Sequence, residues 1–550
     1  MASARPKKPS AWSPFKYPAF ALLWTATLVS NIGTWMHDVG AGWLMTTLSP
    51  SPAIVALVQA ATTAPVFLFA LLAGALADRL DKKRLLIWVN LAMLLVTAGM
   101  TAMVAFDQMT PVLVVTFTFL LGTGAALIAP AWQAVVPSLV GQDTLQPAVA
   151  LNSIGINIAR AIGPALAGAL IVSAGLYAPF AVNMLTFCVI LLALMLWTPA
   201  RQPASALAPE PLADAIFTGV RHALNNAALK AVLKRALGFF LWASAFWALL
   251  PIAAKAVEDQ MFGSGAALYG ILLGTTGSAA VVGALVLPRL RHYLAAETLV
   301  TLGAIGMAFA LVLLAIFPVS LAVLAGALLA GVSWIAVLTS LNVSAQTALP
   351  NWVRARGLSV FLMVFFGAMT VGSTLWGQVA ENVGLRAAFG VAALGLLVSA
   401  FALRGVKLGR AGARDLSPAM AWPEPTVALA SDDLNDRGPV LVSVRYDIKA
   451  GSEADFLAAL SALAGERRRD GASEWNVYQD AATPTSWVEV FKLPSWAEHL
   501  RQHERATVSD AALRSAVHAF HVGPQAPKVD HLLAPSAAPG RPPKLSDTDA

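Results

Sequence analysis

Residues 67–90 read FLFALLAGALADRLDKKRLLIWVN, an apolar run, a short break carrying two acids and four basic residues, and a second apolar run. Extended outward, each run exceeds the roughly 20 apolar residues that a helix needs to cross about 30 Å of hydrocarbon. The pair therefore reads as a membrane hairpin with a tight charged loop. The same reading applied to all 550 residues predicts twelve spans: 17–45, 52–77, 84–106, 111–137, 147–173, 177–198, 236–257, 266–288, 296–317, 319–349, 356–381 and 385–405. Composition agrees, with 57% hydrophobic and only 12% charged residues, half the charge of an ordinary soluble domain.

The basic residues of that first loop have counterparts at every second loop. Arg5, Lys7, Lys8 and Lys16 precede the first span. Arg201, Arg221, Lys230, Lys234 and Arg235 fall in the long central loop 199–235, and Arg289, Arg291, Arg354, Arg356, Arg404 and Lys407 follow on the same side. The opposite loops hold only Lys255 and Arg386. The positive-inside rule then predicts cytoplasmic termini and a multi-pass protein of a bacterial inner membrane. It also accounts for the formal charge of +7 without a nucleic-acid partner. The segment 17–48 is too long for a signal-peptide core and reads as a retained first span. The single cysteine, Cys188, lies in an apolar run and has no disulfide partner in the chain.

Short patterns recur at nearly one spacing. Gly74-Ala75-Leu76 returns as Gly283-Ala284-Leu285 and Gly163-x4-Gly168 as Gly372-x4-Gly377, each 209 residues later; Gln133-x3-Pro137 returns as Gln346-x3-Pro350 after 213. They fall in corresponding spans of two halves, 17–198 and 236–405. The pattern predicts an all-α membrane domain of two parallel six-helix repeats, with a substrate path between them near the midplane.

The hairpin loop, Gly74-x3-Asp78-Arg79-x-Asp81-Lys82-Lys83-Arg84, resembles the signature of the major facilitator superfamily, with Asp81 where that family usually has glycine. The resemblance implies a gating group of Gly74, Asp78, Arg79 and Arg356, in which Asp78 faces the start of the eleventh span near 356–358. An acid at a helix end pairs with basic groups in one state of a rocking pair and releases them in the other. Gly163-Pro164-x2-Ala167-Gly168 is similar to the fifth-helix motif of the superfamily's antiporters and implies export against a proton gradient. Pro130-Ala131-x-Gln133, Ala150-Leu151-Asn152-Ser153, Gln346-x3-Pro350-x-Trp352 and Gly372-Ser373-x2-Trp376-Gly377 look like the transmembrane secretion effector branch, which includes enterobactin-exporter-like proteins.

Ionisable groups inside a bilayer are costly and mark function by default. Asp38, in the outer half of the first span, and Arg160, mid-span in the fifth, are the candidates for proton coupling or substrate binding. A carboxyl in a dry setting keeps its proton, and beside a guanidinium it releases it. Asn31, Gln59, Gln133, Asn152, Asn157, Asn342 and Gln346 are candidate lining residues. Trp35 and Trp334 are lining candidates too, set behind the polar residues because many of the 16 tryptophans in the chain must serve as interfacial belt residues. Lys255, Glu258, Asp259 and Glu381 read as solvated at outer helix ends.

Beyond 405 the composition turns polar. Residues 406–438 read as a linker, 439–535 as a soluble β-α-β-β-α unit of the ferredoxin-like α+β kind, and 536–550 as a disordered end; at the start of the chain, 1–16 read as a cytoplasmic N-terminal segment. In the soluble unit Arg467-Arg468-Arg469-Asp470-Gly471 and Trp496-x-Glu498-His499-Leu500-x2-His503-x-Arg505 are similar to the tail of the same branch. The outline resembles antibiotic-biosynthesis-monooxygenase domains, which implies self-association. His499, His503, His518 and His521 read as surface histidines and no metal is expected. The sequence offers no cofactor fingerprint, no catalytic set and no phosphate-binding loop. The function expected is a secondary transporter, a proton-coupled exporter of a small organic molecule working by alternating access. Its alternatives are an importer or facilitator of the same fold, or a membrane anchor for a tail that modifies a metabolite.

Overall fold

In a computed structural model, residues 10–199, 212–257, 264–316, 319–350, 352–409, 415 and 437–534 are described. The expectations for 1–9, for most of the linker, for Glu258 and Asp259, and for the terminal stretch from 535 fall outside them. The chain divides into two compact units: Met1–Ile216, Ala231–Ala345 and Leu358–Arg410 form the first, and Phe217–Lys230, Gln346–Gly357 and Ala411–Ala550 the second.

The first unit is built on α1 (Pro18–Leu48), α2 (Pro52–Arg79), α3 (Lys82–Ala105), α4 (Pro111–Val135), α5 (Leu145–Ala174) and α6 (Ala178–Leu196). After α7 (Leu212–Asn225) come α8 (Ala227–Lys255), α9 (Gly265–Tyr293), α10 (Ala296–Ile316), α11 (Ser320–Thr347), α12 (Arg354–Val383) and α13 (Leu385–Ala402). All but α7 are long and apolar enough to cross a membrane, twelve in number. Helix starts follow local chemistry. Ser51 and Thr110 cap α2 and α4 ahead of a proline at the first turn, where a missing N–H costs nothing. Asp81 caps α3 by accepting from the Arg84 N–H at 2.8 Å. The residue that departs from the superfamily signature thus starts the next helix. The end of the long polar segment 199–235 between the two halves is occupied by α7 and the first turns of α8. Their charges hid them from a hydropathy reading.

The repeat is visible in packing. A Cβ on Gly163 of α5 would lie 2.6 Å from Trp35 Cβ on α1, and one on Gly168 would lie 3.1 Å from Ala266 O on α9. Their counterparts 209 residues on behave alike: Gly372 of α12 abuts Leu241 and Ser244 on α8, and Gly377 abuts Ala53 and Ala56 on α2. In each half the first glycine packs on the opening helix of its own repeat and the second on the second helix of the other. Absent side chains let these backbones approach closely.

The tail sheet has order β2-β3-β1-β4, from β1 (Val440–Asp447), β2 (Ser473–Gln479), β3 (Ser486–Leu493) and β4 (Lys528–Leu533), all pairs antiparallel. With α14 (Glu453–Arg469) after β1, and α15 (Trp496–Arg505) and α16 (Val508–His518) before β4, this is the ferredoxin-like order. The helical stretch after β3 is divided at Ala506, because Thr507 and Asp510 build a capping box for α16. β4 went unread because its pattern KVDHLL does not alternate cleanly.

Candidate functional site

A cavity of about 290 Å³ lies between the repeats. Its first-repeat wall is polar, with Asp38 and Trp35 on α1, Gln59, Thr62 and Thr63 on α2, and Arg160 on α5. Its second-repeat wall is aromatic, with Trp247 on α8, Tyr269 on α9, Trp334 on α11, and Phe365 and Phe366 on α12. Trp247 and Trp334 meet edge to face at 5.1 Å, and Phe240 connects Trp334 (5.3 Å) to Phe365 (4.1 Å) behind them.

Arg160 sits where α5 packs closely on α9 and on the Trp35 ring of α1. Gly277 of α9 comes so close that a Cβ there would stand 2.7 Å from Arg160 O, and the guanidinium lies 5.5 Å from the centre of the Trp35 ring. Its Nε is buried with no hydrogen-bond partner, as is Trp247 Nε1. Two donors beside this cavity thus lack acceptors, which a ligand with acidic or hydroxyl oxygens would supply. Asp38, the one carboxylate of the lining, forms no ion pair within 4.0 Å among the described residues. His37, the next residue, points elsewhere, its ring edge-on to Phe180 at 4.9 Å.

Of the residues named from sequence, Asp38, Arg160 and Gln59 come together here. Asn31, Gln133, Asn157, Asn342 and Gln346 are not among the lining residues. Asn157 instead donates to Ser153 O at 2.8 Å, and Asn152 accepts from Trp132 Nε1 at 3.1 Å. Trp35 and Trp334, the two tryptophans among the lining candidates, do line the cavity. Tyr269 and Trp247 were missed: hydropathy does not say which face of an apolar helix turns inward. Gly163, Pro164 and Gly168 lie behind the wall; Pro164 O is 2.6 Å from where a Gly270 Cβ would be.

For the gating group, the side chains of Asp78 and Arg79 are outside the description. Gly74 faces α12, where a Cβ on it would lie 3.8 Å from Ser359 Oγ, and Arg356 packs on Gly219 within the second unit. At the opposite end of the helices, Ser51 Oγ donates to Glu381 Oε2 at 2.6 Å and Lys255 Nζ donates to Thr46 O at 2.5 Å. Both groups are exposed, as expected, and they also tie the repeats together.

In the second unit the tail motif is a buried charge network. Arg467 pairs with Glu489 at 3.3 Å, both nearly inaccessible, and Glu489 also accepts from Tyr446 Oη and Trp475 Nε1. Arg469 bonds Asp470 and Asp510, and Glu498 binds Arg505 and Arg221. The Arg505 guanidinium covers the Trp352 ring at 4.6 Å, and Trp352 meets His222 edge-on at 5.4 Å. Burial pushes His222 and His499 down to about 3, and His503 to about 4.

The sequence profile of the transmembrane secretion effector family matches residues 9–539, membrane helices and tail alike. The chain belongs to the transmembrane secretion effector family. This member resembles a staphyloferrin A transporter of Staphylococcus aureus, 26% identical over 366 residues that cover 66% of this chain and 89% of that one. It also resembles the enterobactin exporter EntS of Salmonella typhimurium, 24% identical over 386 residues, 70% of this chain and 90% of that one. Among solved structures, the nucleoside transporter NupG superposes with TM-score 0.58 at 14% identity, covering 70% of this chain and 99% of that one. A bacterial homologue of the lysosomal transporter Spinster gives 0.57 at 13%, covering 72% and 97%. These two likenesses show the major facilitator fold.

Proposed function

We propose that this family member exports a small organic molecule from the cytoplasm by proton antiport, with alternating access across a bacterial inner membrane and both termini cytoplasmic. The carrying observation is the cavity between the repeats, with Asp38 and Arg160 on one wall and Trp247, Trp334 and Phe365 on the other. Such a lining suits an aromatic or amphipathic body bearing acidic or hydroxyl oxygens. Relatives named for staphyloferrin A and enterobactin favour a siderophore-like compound.

In this reading Arg160 receives the substrate's oxygens on a ready aromatic seat. Asp38 carries the proton: it accepts one from the outer side and gives it up when the cavity opens inward and substrate arrives. The Ser51–Glu381 and Lys255–Thr46 bonds support a state closed at the outer end. The basic loops support the orientation.

Inverted membrane vesicles under an imposed proton gradient test the proposal. Gradient-dependent accumulation of a catecholate or citrate-type siderophore is expected, and Asp38→Asn should abolish it while leaving gradient-free exchange. If Asp38→Asn and Arg160→Ala both transport at the normal rate, the coupling assignment is wrong. Comparing the compounds retained by a deletion strain with those of its parent would identify the natural substrate.

A further inference from the structure

Away from the cavity, three imidazoles from two distant parts of the tail converge. His499 and His503 sit one turn apart on the same face of α15. His531 lies on β4, paired in register with Val442 of β1. Their rings are 4.5 Å (His499–His503) and 4.7 Å (His499–His531) apart between centres, and one nitrogen from each lies within 4.8 Å of the other two. His499 is 2% exposed, and neither of its ring nitrogens makes a hydrogen bond. The side chain of Gln502 is near enough to act on the ring as a hydrogen-bonding group, though outside ordinary hydrogen-bond geometry, and its Nε2 is buried without a partner. Unanswered polar atoms in a core cost free energy, and a native structure keeps them for a reason.

One other histidine of the tail shows what a purely structural role looks like. His521 accepts from the Asp447 N–H at 2.9 Å through Nδ1 and faces Gln525 O through Nε2. The nearby carboxylate triad Glu466, Asp470 and Asp510 is no rival, because Arg469 already bonds two of its members.

We infer that His499, His503 and His531 bind one divalent transition-metal ion of the zinc type, with water completing a tetrahedron. Neutral imidazoles suit zinc, cobalt, nickel and copper, and disfavour hard cations such as magnesium and calcium. Zn–N bonds of about 2.0–2.1 Å require nitrogen separations of about 3.3 Å, so the rings must draw together by an ångström or so. Rotation about their χ angles supplies a movement of that size. Two guanidinium groups act against the cation at His503, those of Arg467 and Arg514; Glu489 already answers the first at 3.3 Å. The bound ion would pin β4, the strand at the sheet's edge, to α15.

The test uses the purified full chain in detergent, carrying an affinity tag free of histidine, stripped with a chelator and reloaded with cobalt(II). Expected are one cobalt per chain after gel filtration, the intense visible bands of tetrahedral cobalt(II), and their loss on adding zinc. His531→Gln and His503→Gln should each weaken binding at least ten-fold, whereas His518→Gln should bind normally. His531→Gln is the decisive variant because that ring is only half-buried, and unchanged gel-filtration and circular-dichroism profiles will show that it folds. Retention well below one cobalt per chain, a six-coordinate spectrum, or equal binding by His531→Gln would each overturn the assignment.

Discussion

The guanidinium of Arg160 lies 5.5 Å from the centre of the Trp35 ring, so the cation at the middle of α5 rests on an aromatic face of α1. Such a seat is worth about 0.5–1 kcal/mol in water and about 2 kcal/mol when desolvated. It answers the charge in part while leaving Nε without an acceptor.

If Arg160 binds substrate oxygens through its planar fork, a lysine cannot replace it. Arg160→Lys should raise KM for transport about ten-fold with a smaller change in maximal rate, and Arg160→Ala should abolish transport. Trp35→Phe keeps an aromatic face and should lose less than Trp35→Ala. Initial rates in proteoliposomes over a range of substrate concentrations make the check; an Arg160→Lys protein with wild-type KM would refute the fork.

The glycine seams make a paired prediction. A side chain at Gly168 or Gly377 would strike the backbone of α9 or α2, respectively, and overpacking of this kind costs about 1–3 kcal/mol. Gly168→Val and Gly377→Val should therefore lower the melting temperature in detergent by similar amounts and slow transport. Gly390 on α13 has nothing within 4 Å of its would-be Cβ, so Gly390→Ala should melt at or slightly above the wild-type temperature. Unequal losses at the two seam positions would contradict the pseudo-symmetry.

The seams also show how much the sequence disclosed. Twelve spans, the division into repeats and the 209-residue spacing were legible because bilayer thickness fixes helix length and duplication preserves glycine positions. Asp38 and Arg160 stood out because charge is rare in a membrane helix. Of the aromatic wall only Trp334 was legible, and weakly, since it and a lipid-belt tryptophan look the same in an apolar run; Trp247, Tyr269 and Phe365 were not, because only packing says which way a ring points. The metal triad was illegible for a different reason. His499 and His503 share a helix face that sequence can show, but His531 reaches them through sheet order, which depends on pairings far along the chain.

The tail carries an acid whose ionisation opposes folding. Burial pushes Glu466 up to about 8, with Asp470 and Asp510 adding to the shift and Arg467 and Arg469 opposing it. Its ordinary value is 4.5, so between about pH 4.5 and 8 the folded tail holds a proton that the unfolded chain has released. Stability from this group is full below pH 4.5 and falls as pH rises through 8, by at most about 1.4 kcal/mol per pH unit. His222, His499 and His503, pushed below 6.5, act in the opposite sense and cost stability as pH falls beneath that value. Hydrogen exchange of peptides from α14 in the full chain should quicken from pH 6 to 8, after correction for the intrinsic rate. Glu466→Gln should flatten that rise, and an unchanged slope would remove Glu466 as its source.

The last prediction concerns the end of the bundle where Glu381 Oε2 accepts from Ser51 Oγ at 2.6 Å and stands 3.4 Å from the Ala53 N–H. A carboxylate placed at the start of α2 satisfies N-terminal donors and meets the positive end of the helix dipole, an interaction worth roughly 0.3–1 kcal/mol. It joins α12 of the second repeat to α2 of the first, and Lys255 joins α8 to α1. In an alternating-access cycle these bonds must break whenever that end opens. Glu381→Gln and Lys255→Met should each shift the population toward the open form, by a few-fold singly and more together. The measure is labelling of Trp247→Cys by a membrane-impermeant maleimide from the outer face, in a background where the exposed Cys188 is replaced by alanine. Labelling should speed up in both gate variants. Conversely, Ser51→Cys with Glu381→Cys, bridged by a short bifunctional thiol reagent, should stop transport until a reductant cleaves the bridge. Undiminished transport by the bridged protein would mean that this end never opens, and the cycle proposed above would fail with it.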